Sequence, residues 1–500
     1  MRASRLTAAA AACVLVGLIW QVPLASAARV LLLGPGGHAR VIQDRFLTGP
    51  ASTPIPARGA VSSTDPTPAG GSIPIAYAAR RKQAKPVTVE SRLAQLERQH
   101  AITAATERGY LNDFKSALAA EKRLPGTRAS ELIAVTETLH DIAASGELTT
   151  SRLPVLFLTL QRNLQWWTRG PLLASGDRVE FAGSQLVWEY YPGQGIELQE
   201  LGSFGKADAM YTAGPSEYGE LKALVDELIP LAADRAGGLA WEYYFSFDGG
   251  QPPWVSAMAQ GTALEALTRA YKATGDNEYL EVAHEALPLF ESQPPQGVSE
   301  PTQIGTRFLQ YSFAPHTYII NAFLQTLIGL YDYAKVSDDP EAQSLFAAGN
   351  REAQAELPSY DTGAWSLYQP GIEDDLSYHE LVTGFLQELC SRTHATVYCV
   401  TAQHFQAYLH TPPQLTQLTL AVRARRPFDL RFRLSKISHV GIVVLHGDDT
   451  VLATSADFPY GVDEFAVPAL KKGTYTVHLA ATDLAGNFNR IVGTLSVGSS

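Results

Sequence analysis

The sequence predicts a mainly α protein: an incomplete α/α toroid with a small inserted β-hairpin or sheet, followed by a β-sandwich domain. Three observations lead there. From Ser256 to His410, amphipathic segments of helical length alternate with loops, the pattern of paired antiparallel helices. Between 178 and 205 the apolar period shortens into alternating and aromatic runs around Gly183, Pro192, Gly193 and Gly195, which reads as β structure inside a helical body. After Pro412-Pro413 the texture turns to β-alternation.

Taken in order, the chain opens on an export signal. Met1 to Arg5 form a basic start, an apolar core follows, and Ala25-Ser26-Ala27 is a small-residue cleavage pattern, so cleavage after Ala27 is expected. The apolar run is nearly long enough to span a bilayer, so an uncleaved anchor is the alternative. Residues 28–87 are rich in Gly, Pro, Ser and Ala and end in Arg80-Arg81-Lys82, which reads as a disordered linker. Within it, ARVLLLGPGGHARV imitates a strand followed by a phosphate loop. Its spacing is not that of a dinucleotide fingerprint and proline-rich sequence follows, which argues against nucleotide binding.

The toroid domain is expected from 88 to 411. Arg92-Leu93, Leu96, His100, Ile102 and Ala105 fit one helix face, and Tyr110 to Lys122 another. Residues 129–146 and 151–167 form two more helices, with Pro154 suited to a first turn. GGLAWEYYFSF at 237–247 reads as a strand. Further helices are expected at 257–274, 277–292, 316–336, 340–356, 378–392 and 395–409. GDNEYLEVAHEAL resembles a tetratricopeptide unit, but no sustained repeat accompanies it. The last segment, 414–500, carries turn signals at Gly447-Asp448, Lys472-Gly473 and Gly486-Asn487, fitting about seven short strands of an immunoglobulin-like sandwich with a spacer or adhesion role.

The net charge of −11 over 500 residues argues against general nucleic-acid binding. An anionic substrate would need a local basic patch for the same reason. Cys13 lies in the export signal, leaving Cys390 and Cys399. After export they could pair across a helix–helix turn, or remain buried thiols.

The chemistry concentrates in PPWVSAMAQGTALEALTRAY (252–271), LQYSFAPHTYIINAFLQTLIGLYD (309–332) and YDTGAWSLY (360–368). Together they resemble the D-glucuronyl C5-epimerases of heparosan and heparan sulfate maturation. The resemblance covers roughly 155–410. It implies a polymer-level isomerase that converts D-glucuronate to L-iduronate, an anionic uronic-acid polysaccharide as partner, no cofactor, and a homodimer. The C5 hydrogen beside a carboxylate is very weakly acidic, so its removal needs electrostatic stabilisation of the growing charge. Inversion is simplest with one acid/base group on each face.

The resemblance implies catalytic roles for Tyr311, Tyr368 and Tyr378, and a site role for Asn321. Two positions depart from the family. A glutamate that acts as an acid/base group is replaced by Gln310, and a charge-neutralising arginine by Gly371. Glutamine cannot exchange a proton at useful pH, so Tyr311 is the natural substitute base. Holding a free tyrosine as phenolate at pH 7 costs about 4 kcal/mol. Arg307, His316 and His379 are the expected cations that offset this, and Arg307 could also pair with the substrate carboxylate. Gln260 and Trp254 complete the expected substrate-binding set with Gln310, and Trp254 and Trp365 line a groove or pack in the core. Tyr190, Tyr191 and Tyr211 are candidates for the family's amino-terminal site tyrosines. Glu373-Asp374-Asp375, just before a helix start, reads as a pairing with the helix dipole rather than a metal site. The alternatives are a lyase, which shares the carbanion step, and a uronan-binding protein impaired by the changes at Gln310 and Gly371. A hydrolase is disfavoured, because no carboxylate pair sits in these loops.

Overall fold

A computed structural model describes residues 28–47 and 87–498. The expected export signal and the expected linker from 48 to 86 lie outside the described residues. The linker does not begin at residue 28. Strands β1 (Ala28–Leu33) and β2 (Ala39–Asp44) form an antiparallel hairpin, with Val30 and Leu33 fully buried. The glycine-rich stretch is its turn: the Gly34 N–H donates to the His38 carbonyl, and Gly37 sits at φ 80°. No helix follows the strand, so no phosphate loop exists there.

Four helices follow: α1 (Val89–Arg98), α2 (Ala104–Glu121), α3 (Thr127–Ala144) and α4 (Leu153–Arg169). The single face expected from Arg92 to Ala105 is interrupted, because His100 takes φ 56° and Thr103 caps α2 by accepting the Thr106 N–H. The expected inserted β structure is β3 (Arg178–Phe181), β4 (Trp188–Tyr191) and β5 (Gly195–Leu198). The amino-terminal hairpin extends it into one sheet, ordered β2-β1-β3-β4-β5. Helices α5 (Glu200–Ala213) and α6 (Tyr218–Leu228) come next and were not read from the sequence. Buried Lys206 of α5 binds Asp44 and Glu180 at 2.7 Å each, tying the helix to β2 and β3.

A short hairpin, β6 (Ala233–Arg235) and β7 (Gly238–Ala240), leads into the main helical hairpins. The strand expected to reach residue 247 stops at Ala240, and beyond it isolated bridges pair Tyr243 with Trp254 and Phe247 with Gly250. Helix α7 (Ala257–Thr274) starts at Ser256, which caps the Ala259 N–H, and stops at left-handed Gly275. The expected 277–292 helix is divided at Pro288 into α8 (Glu278–Glu285) and α9 (Pro288–Glu291). The hairpin β8 (Ser299–Pro301) and β9 (Thr306–Phe308) precedes α10 (Ile320–Ser337) and α11 (Pro340–Glu356). Then come β10 (Leu367–Gln369), β11 (Ile372–Glu373), α12 (Leu376–Thr393) and α13 (Thr396–Tyr408). Cys390 and Cys399 are disulfide-bonded across the α12–α13 turn.

Helices α7 and α10 cross at backbone contact. A Cβ at Gly261 would meet the Thr326 Cα at 2.5 Å, and one at Gly329 would collide with the Gly261 carbonyl. Glycine at both positions lets the two helices approach and brings their amino-terminal ends together.

The carboxy-terminal region has eight strands: β12 (Leu415–Gln417), β13 (Ala421–Arg423), β14 (Phe428–Leu434), β15 (Ser438–His446), β16 (Asp449–Phe458), β17 (Gly461–Val467), β18 (Gly473–Asp483) and β19 (Phe488–Gly498). They form a three-stranded sheet, β12-β14-β17, and a five-stranded sheet, β13-β19-β18-β15-β16. Their alternate residues, including Leu430, Phe432, Val440, Ile442, Val477 and Leu495, share one core separate from the helical one. The protein is therefore helix-rich with a β-rich carboxy-terminal body. No helix among the described residues is long and apolar enough to cross a membrane.

Candidate active site

The three expected catalytic tyrosines come together from separate elements. Tyr311 lies in the loop after β9, Tyr368 in β10, and Tyr378 in the first turn of α12. The hydroxyls of Tyr311 and Tyr368 share a hydrogen bond, and the Gln310 side chain bonds Tyr311 as well. The rings of Tyr368 and Tyr378 meet edge to face at 5.1 Å. Met258, Ile319 and Ala322 form the apolar floor, and Leu201, Tyr311, Tyr368 and Phe385 pack on it. Asn321 opens α10 beside this floor, and its Oδ1 accepts the Ala322 N–H at 2.8 Å. The Oε1 of Gln310 is buried without a hydrogen-bond partner.

A second aromatic layer backs Tyr311. Phe313 stacks on it at 5.2 Å, while Trp254 and Phe247 lie 5.8 and 5.6 Å away. Trp254 is buried, stacked on Tyr243 at 4.3 Å, and donates its Nε1–H to the Phe245 carbonyl. Tyr243, Phe245 and Phe247 were missed as site-wall residues. They fall at a period of two, the face of an extended segment, and that alternation in WEYYFSF was the available signal. Tyr191 stacks on Phe245 at 4.5 Å and joins this layer. Tyr190 instead donates to Glu131, and Tyr211 stacks on Tyr218. Next to Leu201, Glu200 opens α5 with its carboxyl buried and its Oε2 unpartnered. Burial pushes that carboxyl well above the usual range.

Two of the three expected cations, Arg307 and His379, are engaged elsewhere. Arg307 is held by Glu356 at 2.5 Å, Glu300 at 3.2 Å and Glu352 at 3.3 Å, and it covers the Tyr318 ring. It stabilises the β9–α11 packing and is not open to a substrate carboxylate. His379 is fully buried, stacked on Trp365 at 3.7 Å. Its Nε2–H donates to the Phe405 carbonyl and its Nδ1 faces the Ser366 hydroxyl. Burial lowers it to about 4, so it is neutral at pH 7. His316 is exposed in the turn before α10. Gln260 is also structural: its amide exchanges two hydrogen bonds with the Trp241 backbone, at 3.1 and 2.7 Å. Trp365 is buried with His379 and lines no groove.

Burial is the largest cause raising each of the three phenols above the ordinary tyrosine value. Their neighbours add to it: Tyr378 and Asp248 at Tyr311, Asp374 at Tyr368, and Asp375 with Asp374 at Tyr378. All three are neutral proton donors at pH 7. The acidic triplet divides its roles. Asp375 caps α12 by accepting the Tyr378 N–H at 2.9 Å. Asp374 is buried against the Ser366 hydroxyl at 2.5 Å and is pushed up to about 7 by burial. Glu373 reaches the β-rich body. Gly371 sits at φ 82° after Pro370, where a tight turn closes the β10–β11 hairpin and a side chain would be strained.

Residues 236–407 match the family model described as D-glucuronyl C5-epimerase C-terminus. A D-glucuronyl C5-epimerase of Caenorhabditis elegans is 38% identical over 130 residues, 23% of this chain and 21% of that protein. An uncharacterized protein of Methanocaldococcus jannaschii is 28% identical over 137 residues, 26% of this chain and 44% of that one. The chain thus spans from about a fifth to under half of these relatives' length. Among solved structures, a cellobiose 2-epimerase from Bacillus thermoamylovorans aligns with TM-score 0.34 and 11% identity over 52% of this chain and 72% of that one. A family 76 α-mannanase of Bacteroides thetaiotaomicron aligns with TM-score 0.34 and 12% identity over 46% and 65%. All three clustered tyrosines fall inside the matched segment. Residues 236–407 of this chain are thus similar to the D-glucuronyl C5-epimerase C-terminus family.

Proposed function

We propose that this protein is a carbohydrate epimerase acting on a uronic-acid polysaccharide outside the cytoplasm, inverting C5 of D-glucuronate to L-iduronate in a heparosan- or heparan-like polymer. The observation that carries this reading is the Tyr311–Tyr368–Tyr378 cluster inside the family-matched segment. In the proposed step, one tyrosine, ionised to its phenolate by loss of a proton to solvent, takes the C5 proton and the C–H electron pair moves into the carboxylate. A second phenol returns a proton to the opposite face and becomes a phenolate; solvent then takes the proton from the first tyrosine and returns one to the second. No redox change occurs. Under the same reading the helical hairpins are an incomplete α/α toroid, the β-rich body is immunoglobulin-like, and the amino terminus is an export signal.

A second reading has specific support. The phenols are neutral, no guanidinium or imidazolium flanks them among the described residues, and Gln310 cannot exchange protons. A site of this kind could hold a uronan without turning it over. Incubation with heparosan in deuterated water, followed by NMR of the polymer, separates the readings. Deuterium at C5 with iduronate signals supports epimerisation. Unsaturated ends indicate a lyase, and binding without exchange indicates a non-catalytic uronan-binding protein.

A further inference from the structure

The β-rich body was expected to have a spacer or adhesion role. Its seam with the helical body runs through the loops that carry two of the three tyrosines. Glu373, in β11, accepts the Ile437 N–H at 2.9 Å on one carboxylate oxygen and the Tyr460 N–H at 2.8 Å on the other. Both donors belong to the β-rich body, one just before β15 and one between β16 and β17. Glu373 pairs in register with Leu367, at the base of the hairpin that presents Tyr368.

The second contact is buried. Lys436 lies almost wholly out of solvent, 2.6 Å from Asp483 of the same body. Its ammonium also donates to the Tyr408 carbonyl at the end of α13 and faces the Trp365 ring at 5.1 Å. Trp365 in turn stacks on His379, the residue after Tyr378, and donates to the Asp374 carbonyl at 2.9 Å. Asn487 adds a bond to the Leu409 carbonyl. Burying a lysine–carboxylate pair is costly unless further groups satisfy both ions. A module that was only tethered would gain nothing from placing such a pair against these loops.

We infer that the β-rich body is a working part of the site, in which Glu373 and Lys436 are positioning residues: Glu373 fixes the hairpin carrying Tyr368, and Lys436, through Trp365 and His379, fixes the start of α12 carrying Tyr378. The catalytic consequence rests on the epimerase reading; the clamp itself does not.

Hydrogen exchange on the full chain tests the clamp. In Glu373→Ala, amides in 365–378 exchange about tenfold faster, as expected for losing charge-assisted bonds, while 257–274 is unchanged. Glu373→Gln, which keeps one acceptor oxygen, falls between. Asp457→Ala, which removes an exposed pair with His439 elsewhere on the same body, leaves 365–378 as in the parent. Unchanged exchange of 365–378 in Glu373→Ala, or equal loosening by Asp457→Ala, overturns the inference. On heparosan, Glu373→Ala lowers kcat with little change in KM, and Glu373→Gln restores part of it. Faster exchange in Glu373→Ala, with a parent protein inert on uronans, upholds the clamp and sinks the epimerase reading.

Discussion

The Tyr311 and Tyr368 hydroxyls share a hydrogen bond, joining a loop residue before α10 to a hairpin residue before α12. The bond gives the two phenols unequal roles. The contact lowers the Tyr311 phenol and raises that of Tyr368, so Tyr311 is the better base of the pair. Tyr368 is the harder of the two to ionise.

Gln310 bears directly on that assignment. Its side chain bonds the Tyr311 hydroxyl where the family carries a carboxylate. Gln310→Glu introduces an acid/base group in contact with Tyr311. A positioned general base contributes roughly 10²-fold or more, so C5 exchange on heparosan should rise at least about tenfold. A rate equal to the parent's would show that this position does not limit the chemistry.

The raised phenols predict an alkaline pH profile. The base form of Tyr311 is the deprotonated one, and its titration lies above the ordinary tyrosine value. The rate should therefore climb about tenfold per pH unit from pH 7 to pH 9 without reaching a plateau. A profile that levels off below pH 8 would assign the base to another group. Exchange rates across that range, measured on protein whose circular dichroism is unchanged, decide the point.

Arg307 separates stability from chemistry. Its guanidinium is shared among Glu300, Glu352 and Glu356. Removing it leaves carboxylates crowded without their cation, a loss on the order of 3 kcal/mol. Arg307→Ala should lower Tm by several degrees while activity per folded molecule stays within about threefold. A large rise in KM for heparosan with unchanged Tm would return Arg307 to the substrate.

Asp374 and His379 titrate in opposite senses on either side of Ser366. The Asp374 carboxyl, ordinarily at 3.8, is held near 7, so burying it costs stability as pH rises from 3.8 through 7. His379, ordinarily at 6.5, is held near 4, so its cost appears as pH falls below 6.5 and is complete below 4. Asp374→Asn removes only the first cost and keeps a hydrogen bond to Ser366. The variant's Tm advantage over the parent should grow from pH 4 to pH 8. A Tm difference that does not change with pH would mean that Asp374 does not titrate as a buried acid.

These outcomes follow the grain of what sequence reading could reach. The helices at 257–274 and 340–356 were legible because their caps, Ser256 and Asp339, and their apolar faces agree. The tyrosine frame was legible because three motif segments converge on it. Arg307 and His379 were misread because their partners, Glu352 and Glu356 in one case and Ser366 and the Phe405 carbonyl in the other, are brought to them only by the tertiary fold. Gln260 was misread because its partners are backbone groups of Trp241, which leave no mark on the sequence. The same holds for Glu373, whose two donors are main-chain N–H groups of Ile437 and Tyr460. The β1–β2 hairpin was hidden by a composition that reads as linker, although its turn glycines were visible.

The most direct test of the central claim compares the parent with Tyr311→Phe on heparosan in deuterated water. The substitution removes the hydroxyl and keeps the ring packed on Phe313 and Trp254. The account predicts deuterium at C5 together with iduronate signals for the parent, and a loss of at least about a hundredfold in exchange for Tyr311→Phe with binding retained. Equal exchange rates in the two proteins, or binding by the parent without any deuterium at C5, would contradict it.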